Sequence, residues 1–412
     1  MPEFLQLTPV QEAIDRFLAN LPTETHLSIE QIPTIQSSGR VLAEDILAPH
    51  PLPEFARSTV DGYAVQATDT HGASTALPAY LNLSGEIHIG QPAEQTLVST
   101  YTILIHTGAM LPPGADAVVM LEDTQQLKTG EIEILHPVAV GENVIQIAED
   151  VKEGEIVIQA GRRLRAQEIG GLLALGFTQV SVYQRPRVGI ISTGDEVVPP
   201  DVIPKLAQVR DINSYTLQNI INRHGGESIL RGIAGDSLET LQALVDTSHR
   251  EDDLIIVTAG SSVSARDLTA QVFEALGKPG ILVHGIAIKP GKPTILAVAD
   301  NVPAVGLPGN PVSALVVGSL ILPAILDRLY GMSTEGGSTF IEAKLTTNVA
   351  SQAGRDDYHP VRVWEDENGV HAKPIYGRSN LIFTLVRANG LLVIPSDSNG
   401  YEAGTTIRVI PF

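Results

Sequence analysis

The chain has no cysteine. That excludes disulfides, thiolate nucleophiles and cysteine metal sites, and it fits a reducing compartment. Positive charge is scarce: 27 Lys and Arg face 47 Asp and Glu, a formal charge of −20. A surface of that sign repels polyanions, so no general nucleic-acid binding is expected. Long hydrophobic runs are missing too. The most apolar stretch, residues 312–326, is short for a bilayer and contains Pro323, so it reads as a helix buried in a domain core. No membrane association is expected. The first residues are acidic and polar rather than patterned as a signal peptide, and the expected location is the cytoplasm. What is present is core-forming material, 43% hydrophobic residues in 412. That length exceeds one compact core, so two to four domains are expected.

Residues 186–330 organise the rest. Three apolar segments each run into a short loop of small and polar residues. Val188, Gly189, Ile190 and Ile191 lead to Ser192-Thr193-Gly194-Asp195-Glu196. Leu254, Ile255, Ile256 and Val257 lead to a serine-rich loop, 258–264, and on to Asp267. Ala304, Val305 and Gly306 lead to Leu307-Pro308-Gly309-Asn310-Pro311-Val312-Ser313. Alternating strands and helices predict a parallel sheet with its loops gathered on one edge, where ligands bind. Small residues let the backbone approach a phosphate, and helix N-termini present free N–H groups to it. Acidic residues beside an anion site suggest a bridging metal. Lys289 and Lys292, set around Pro290 and Gly291, are either a solvated turn or an anion clamp. Asp267 is either a helix N-cap or a ligand. Capping patterns predict further helices opened by Ser214, by Asp236 and by Asn310 with Pro311.

The flanks read differently. Thr8, Pro9 and Gln11 predict a capped helix with an apolar stripe of Val10, Ile14, Phe17, Leu18 and Leu21. From about residue 27 to 160, short strand-like runs are cut by Gly and Pro, as in a β-rich domain. There Asp61-Gly62 reads as a hairpin turn, residues 106–116 as a rigid surface loop, and Glu149 and Asp150 as solvated charges. A helix at about 166–176 and a strand at 179–183 lead into the α/β region. After Gly331 a Gly/Ser/Thr-rich linker, 332–338, precedes a small β domain of barrel or sandwich type. The expected domains are 1–27 with 151–184, 28–150, 185–331 and 332–412.

Taken together, these stretches resemble one family. They are 55–64 (the pattern F-x-x-S-x-M-D-G-Y-A, with Val60 at the Met position), 107–122 (T-G-A-x-x-P-x-G-A-D-A-V-V-x-x-E), Glu149-Asp150, 192–196, Asp211-Ile212-Asn213, 287–293 and 307–313. In this order they resemble the molybdopterin molybdenumtransferases, the MoeA proteins, also present as the E domain of gephyrin. The resemblance covers almost the whole chain. Two departures stand out: Gln146-Ile147-Ala148 replaces an Arg-rich approach to Glu149-Asp150, and Ala259 and Ser264 replace glycines.

The resemblance implies a central three-layer α/β molybdopterin-binding domain. It also implies a β-rich domain inserted in an N-terminal α+β domain, and a C-terminal β-barrel. It implies insertion of molybdate into adenylylated molybdopterin with release of AMP, requiring Mg²⁺. The bottom-up chemistry agrees, since such a substrate brings a phosphoanhydride and an oxyanion that need N–H donors, lysines and hard carboxylates. On this reading Glu196 and Asp267 coordinate Mg²⁺ and orient substrate, while Asp61 and Asp150 are catalytic carboxylates. Lys289 and Lys292 hold phosphate or molybdate, and Gly309, Asn310 and Ser313 contact the pterin or its phosphate. Arg355 and Ser379 complete an oxyanion site. Thr107, Gly194, Asp195, Ser262 and Pro308 join the substrate-binding set. The family forms homodimers, so Asp61 is expected to act in the partner's cleft. A molybdopterin adenylyltransferase and molybdoenzymes or their chaperones are the expected partners. The alternatives are an adenylyltransferase, or a carrier that binds finished cofactor without turnover.

Overall fold

The computed structural model describes residues 7–259, 263–332 and 340–412, without the side chains of residues 263–266. The linker expected at 332–338 falls, apart from Met332, outside the described residues.

The central sheet has six strands, in the order Glu227–Ile233, Arg187–Ser192, Leu254–Ala259, Val302–Pro308, Ile295–Ala299 and Pro279–His284. The first four are parallel. Ile295–Ala299 runs antiparallel to both neighbours, so the sheet is mixed where the sequence pattern predicted parallel strands. The reason is local. Asp300 and Asn301, both at positive φ, make a tight turn that returns the chain beside itself.

Helices cover both faces. Asn213–Arg223 and Pro311–Leu329 pack one face through Leu217, Ile221, Val317 and Ile321 against Ile190, Ile256 and Val305. Leu238–Glu251 and Val263–Leu276 pack the other face against Ile191, Ile255 and Val257. Strand residues alternate between the two cores, as the pleat requires. The helix Pro311–Leu329 is 19 residues long and apolar enough to cross a membrane by length and composition. It is the core helix of this domain, with 11 buried residues and Pro323 inside it.

Several helix starts differ from the capping patterns. The first helix is Val10–Leu18, with Pro9 at the N-cap and no side-chain cap. Thr8 instead bridges to Ile286, and Val10, Ala13 and Phe17 pack into the α/β core. Ser214 lies inside its helix, and its backbone N–H donates to Asp211 Oδ1 at 3.1 Å. Ser237, not Asp236, caps Leu238–Glu251, accepting from the Thr240 N–H at 3.3 Å. Short polar side chains one residue apart compete for one cap, and chain entry direction decides between them.

The β-rich region holds a six-stranded sheet in the order Ala117–Met120, Gly62–Val65, Tyr101–Ile105, Ala79–Ile87, Glu131–Ile134 and Thr124–Gln126. Asp61-Gly62 is not a hairpin turn. Gly62 opens a strand flanked on both sides, and a Cβ there would lie 2.0 Å from the Val119 carbonyl oxygen. Ile29–Pro33 pairs instead with Gln179–Tyr183, and Leu42, Ile46, Leu164, Leu172 and Val182 form one small core beside them.

The C-terminal region is a closed five-stranded barrel of Asp356–Asp366, Gly369–Pro374, Ile341–Leu345, Thr406–Pro411 and Gly390–Ile394, which pairs back to the first strand. One strand of the α/β region joins it: Ile288 and Lys289 pair in parallel with Asp356 and Asp357. That pairing ties the lysine loop to the barrel.

Candidate active site

The carboxyl ends of the parallel strands open onto two adjoining clefts. The first, about 640 Å³, is lined by Ser192, Thr193, Glu196, Asp211, Asn213, Thr258, Gly309 and Asn310 among others. Its floor is a buried hydroxyl network. Ser192 Oγ donates to Asp211 Oδ2 at 2.8 Å and lies 2.8 Å from Ser214 Oγ and 3.2 Å from Thr258 Oγ1. Asn213 Nδ2 donates to the Gly309 carbonyl at 2.8 Å, which fixes the amide orientation. Its Oδ1 is then a buried acceptor with no partner among the described residues.

Acidic groups crowd the mouth of this cleft. Gly194, at φ +126°, turns the chain so that Asp195 and Glu196 project outward. A Cβ on Gly194 would lie 2.6 Å from Glu196 Oε2. Asp195 Oδ1 accepts from the Asp236 N–H at 3.0 Å. The Asp236 carboxyl is pushed above its ordinary pKa by partial burial and then by the charges of Asp195 and Glu196. Asp236 was legible only as a helix opener, because its approach to Glu196 is made by the fold.

The second cleft, about 690 Å³, lies between the α/β region and the barrel. It is lined by Lys289, Lys292, Asn310, Ser313, Arg355, Asp357, His359, Arg378 and Ser379 among others. Lys289 Nζ donates to Asp357 Oδ2 at 2.8 Å, and Ser351 Oγ donates to the same oxygen at 3.0 Å. His359 Nε2 lies 3.1 Å from it without an aligned hydrogen bond. Burial pushes the Asp357 carboxyl up, but contacts from His359 and Lys289 outweigh it and hold the pKa at about 2. Lys292 makes no ion pair among the described residues, and Arg355 Nε is buried without a partner. This cleft therefore offers unspent positive charge in an acidic protein. Gly291, at φ +122°, packs so closely on the core helix that a Cβ would lie 2.3 Å from Val317 Cγ2.

Asn310 lines both clefts. It occupies the N-cap position but makes no side-chain cap. Its Nδ2 reaches instead to Ser379 Oγ of the barrel region at 3.1 Å. Of the site residues expected from sequence, Gly194, Asp195, Glu196, Lys289, Lys292, Gly309, Asn310, Ser313, Arg355 and Ser379 are brought to this continuous groove or its mouth. Pro308 is buried at the end of its strand, paired with Ala259. Asp267 is exposed and lies one turn inside Val263–Leu276, so it is not the N-cap. It does not line either cleft. Ser262 lies outside the described residues. Asp357 and His359 were missed from sequence. Nothing in spacing connects Asp357 to a lysine 68 residues away.

Asp61 and Asp150 stand apart from the groove, in the β-rich region. Asp61 Oδ1 accepts from Thr107 twice, from its backbone N–H at 2.8 Å and its hydroxyl at 3.1 Å. These bonds, with the backbone donor foremost, hold the Asp61 carboxyl below its ordinary pKa. Asp150 lines a separate cleft with Arg57 and Glu149. Arg57 is the cation lining that cleft, and residues 146–148 carry none.

A sheet with a cationic groove and an acidic mouth at its carboxyl edge defines a binder of phosphate-bearing or oxyanionic small molecules. Family models agree in order along the chain: the MoeA N-terminal region, domains I and II, over residues 8–176, a probable molybdopterin binding domain over 189–327, and the MoeA C-terminal region, domain IV, over 342–412. The chain belongs to the MoeA family of molybdopterin molybdenumtransferases. It is 30% identical to the molybdopterin molybdenumtransferase of Haemophilus influenzae over 405 residues, covering 98% of each chain. It is 30% identical to that of Bacillus subtilis, covering 98% of this chain and 93% of the relative. The crystal structure of a molybdopterin biosynthesis MoeA protein from Pyrococcus horikoshii superposes with a TM-score of 0.84 at 31% identity, covering 99% of this chain and 100% of the other.

Proposed function

We propose that the chain completes the molybdenum cofactor by transferring molybdenum from molybdate to adenylylated molybdopterin, with Mg²⁺, releasing AMP. The observation that carries this reading is the junction of two unlike clefts at Asn310. One is cationic through Lys289, Lys292, Arg355 and Arg378, and the other has carboxylates at its mouth. A substrate with phosphates at one end and a heterocycle at the other spans such a groove.

Lys292 and Arg355 hold the oxyanion, and Lys289 joins them while anchored by Asp357. Arg355 offers its unpartnered Nε–H, and Asn213 Oδ1 accepts from a ring or amino N–H. Ser313 and Asn310 position the phosphate between the clefts. The donor set fits Mg²⁺, because the carboxylates of Asp195, Glu196 and Asp236 gather at the cleft mouth, where Asp195 also accepts from the Asp236 N–H, and hard oxygen ligands suit that ion. Glu196 and Asp236 would hold it, whereas Asp267, outside both clefts, would not reach it without a movement of its helix. A Mg²⁺ ion held there would supply charge neutralisation for the phosphoanhydride. Water attacks an anhydride phosphorus as its P–O bond breaks and AMP leaves, while the two thiols of molybdopterin displace one oxo group of molybdate, which departs with their protons as water. Asp61 and Asp150 act from the β-rich region of a second copy, in a homodimer. That arrangement gives a reason for their distance from the groove of their own chain. The enzyme works in the cytoplasm, between an adenylyltransferase and acceptor molybdoenzymes.

The deciding experiment mixes the purified chain with adenylylated molybdopterin and Mg²⁺, with and without molybdate. Molybdate-dependent AMP release, coupled to reconstitution of a cofactor-free molybdoenzyme, is the expected result. Substrate bound but intact would sink the transferase reading in favour of a carrier. Consumption of ATP would point to an adenylyltransferase.

A further inference from the structure

A second metal-ligating arrangement lies in the β-rich region, away from both clefts. Glu86, His88 and His106 offer one ligand atom each, all within 4.8 Å of one another. The backbone builds this arrangement. Ala79–Ile87 and Tyr101–Ile105 are parallel neighbours, with Glu86 opposite Leu104 and Ile87 opposite Ile105. His88 and His106 each follow the last paired residue, so they emerge side by side. Their rings are stacked, with planes 8° from parallel and centroids 6.0 Å apart. Glu86 and His88 are alternate residues and share a face, with buried Ile87 between them pointing inward. A register shift between Leu83 and Glu86 sets the strand end at this angle.

The contacts already resemble a ligand shell. Glu86 Oε1 lies 2.7 Å from His106 Nε2 and 3.5 Å from His88 Nδ1. Tetrahedral ligands on a zinc-sized cation stand about 3.3 Å apart, from bonds of about 2.0–2.1 Å. Small side-chain rotations therefore suffice to admit an ion. The other nitrogen of His106, Nδ1, lies 3.9 Å from Asp61 Oδ1. With Nε2 on a metal, the ring's single proton sits on Nδ1 and faces that carboxylate. Metal-bound histidines are characteristically oriented by such an outer carboxylate.

We propose that Glu86, His88 and His106 form a binding site for a first-row divalent transition cation of the Zn²⁺ class, backed by Asp61. Two imidazoles and one carboxylate select such an ion over Mg²⁺, which prefers oxygen ligands alone. The site leaves a fourth position open at the surface. Its occupancy fixes the orientation of His106 and thereby sets the carboxylate of Asp61. Only that last consequence for turnover rests on the role proposed above for Asp61.

The test is a calorimetric titration of the full chain with Zn²⁺, paralleled by Co²⁺ and its visible absorption. With excess Mg²⁺ present to occupy the acidic mouth, one saturable Zn²⁺ per chain is expected. His88→Ala, an exposed change, should weaken Zn²⁺ binding at least tenfold. Glu86→Gln with His106→Ala should abolish the four-coordinate Co²⁺ band while the circular dichroism stays unchanged. Glu196→Ala should bind Zn²⁺ as tightly as the unmodified chain, which separates this site from the acidic mouth. Undiminished binding in the His88→Ala and His106→Ala chains would overturn the proposal. So would loss of binding in Glu196→Ala, or Mg²⁺ competing at equal concentration.

Discussion

Lys289 and Asp357 form an ion pair at 2.8 Å between the lysine loop of the α/β region and the first strand of the barrel. Asp357 is 1% exposed on its side chain and Lys289 is 46% exposed. The pair does two things. It gives the buried carboxylate a partner, and it aims a lysine into the cationic cleft from a fixed base. Lys289 is thus paired before any ligand arrives, while Lys292 makes no ion pair among the described residues.

The contacts of Asp357, with His359 foremost and Lys289 after it, set a pH dependence. Asp357 titrates at about 2 in the folded chain, below its ordinary value of 3.8. A depressed carboxylate contributes stability that is present above pH 4 and is lost as pH falls towards 2. Asp357→Asn should therefore lower stability at pH 7 by roughly 1–2 kcal/mol, after allowing for the exposure of the lysine. The deficit should shrink when urea unfolding is repeated near pH 2.5. An equal deficit at both pH values would refute the stabilisation of Asp357 by His359 and Lys289.

Gly291 and Gly232 share a φ of +122°, but only Gly291 has a neighbour in the way. Gly232→Ala should cost only the backbone strain, about 1 kcal/mol. Gly291→Ala adds the collision with Val317 and should cost roughly 1–3 kcal/mol more. Thermal unfolding of the two variants side by side measures the difference. Equal melting temperatures would mean that the helix yields.

Arg231 grips Asp252 with two hydrogen bonds, at 2.8 Å and 2.6 Å, and Ser248 Oγ adds a third at 2.7 Å. The Asp252 side chain is fully buried, and a Cβ on Gly189 would lie 2.3 Å from its Oδ2. Arg231→Met leaves this buried carboxylate with only Ser248 Oγ and the more distant Arg187 Nε, 3.7 Å away, and should destabilise the chain by about 3 kcal/mol. Replacing both partners by apolar residues should recover much of the loss. Denaturant titrations of the single and double variants decide it.

Glu196 stands at the surface of the cleft mouth, outside every hydrophobic core. Glu196→Ala should leave the melting temperature within a few degrees and reduce molybdate-dependent AMP release at least about 100-fold. Lys292→Ala should raise the apparent molybdate KM more than it lowers kcat, and the effect should fade with salt. Full activity in Glu196→Ala, or a salt-independent KM in Lys292→Ala, would contradict the assignments.

The sequence by itself determined the local pieces and their order. Small-residue loops after apolar strands marked the carboxyl edge of the sheet, because only such loops let the backbone and a helix N-terminus approach an anion. The run of motifs along the chain placed Glu196, Lys289, Lys292, Gly309 and Asn310 in one family pattern, and the fold brings these residues to the two adjoining clefts. What the tertiary structure decided are contacts between residues distant in the chain. Lys289 meets Asp357 because a two-residue strand is added to the barrel. Asn310 gives up its cap for Ser379, 69 residues on. Asp236 nears Glu196, and His106 stands between Glu86 and Asp61, only because separate strands end side by side. Residue spacing encodes the period of a helix or strand, but not which strand lies beside which. Pairing is chosen by whole cores such as those built on Ile190, Ile256 and Val305, and the polar contacts at the strand ends follow from that choice.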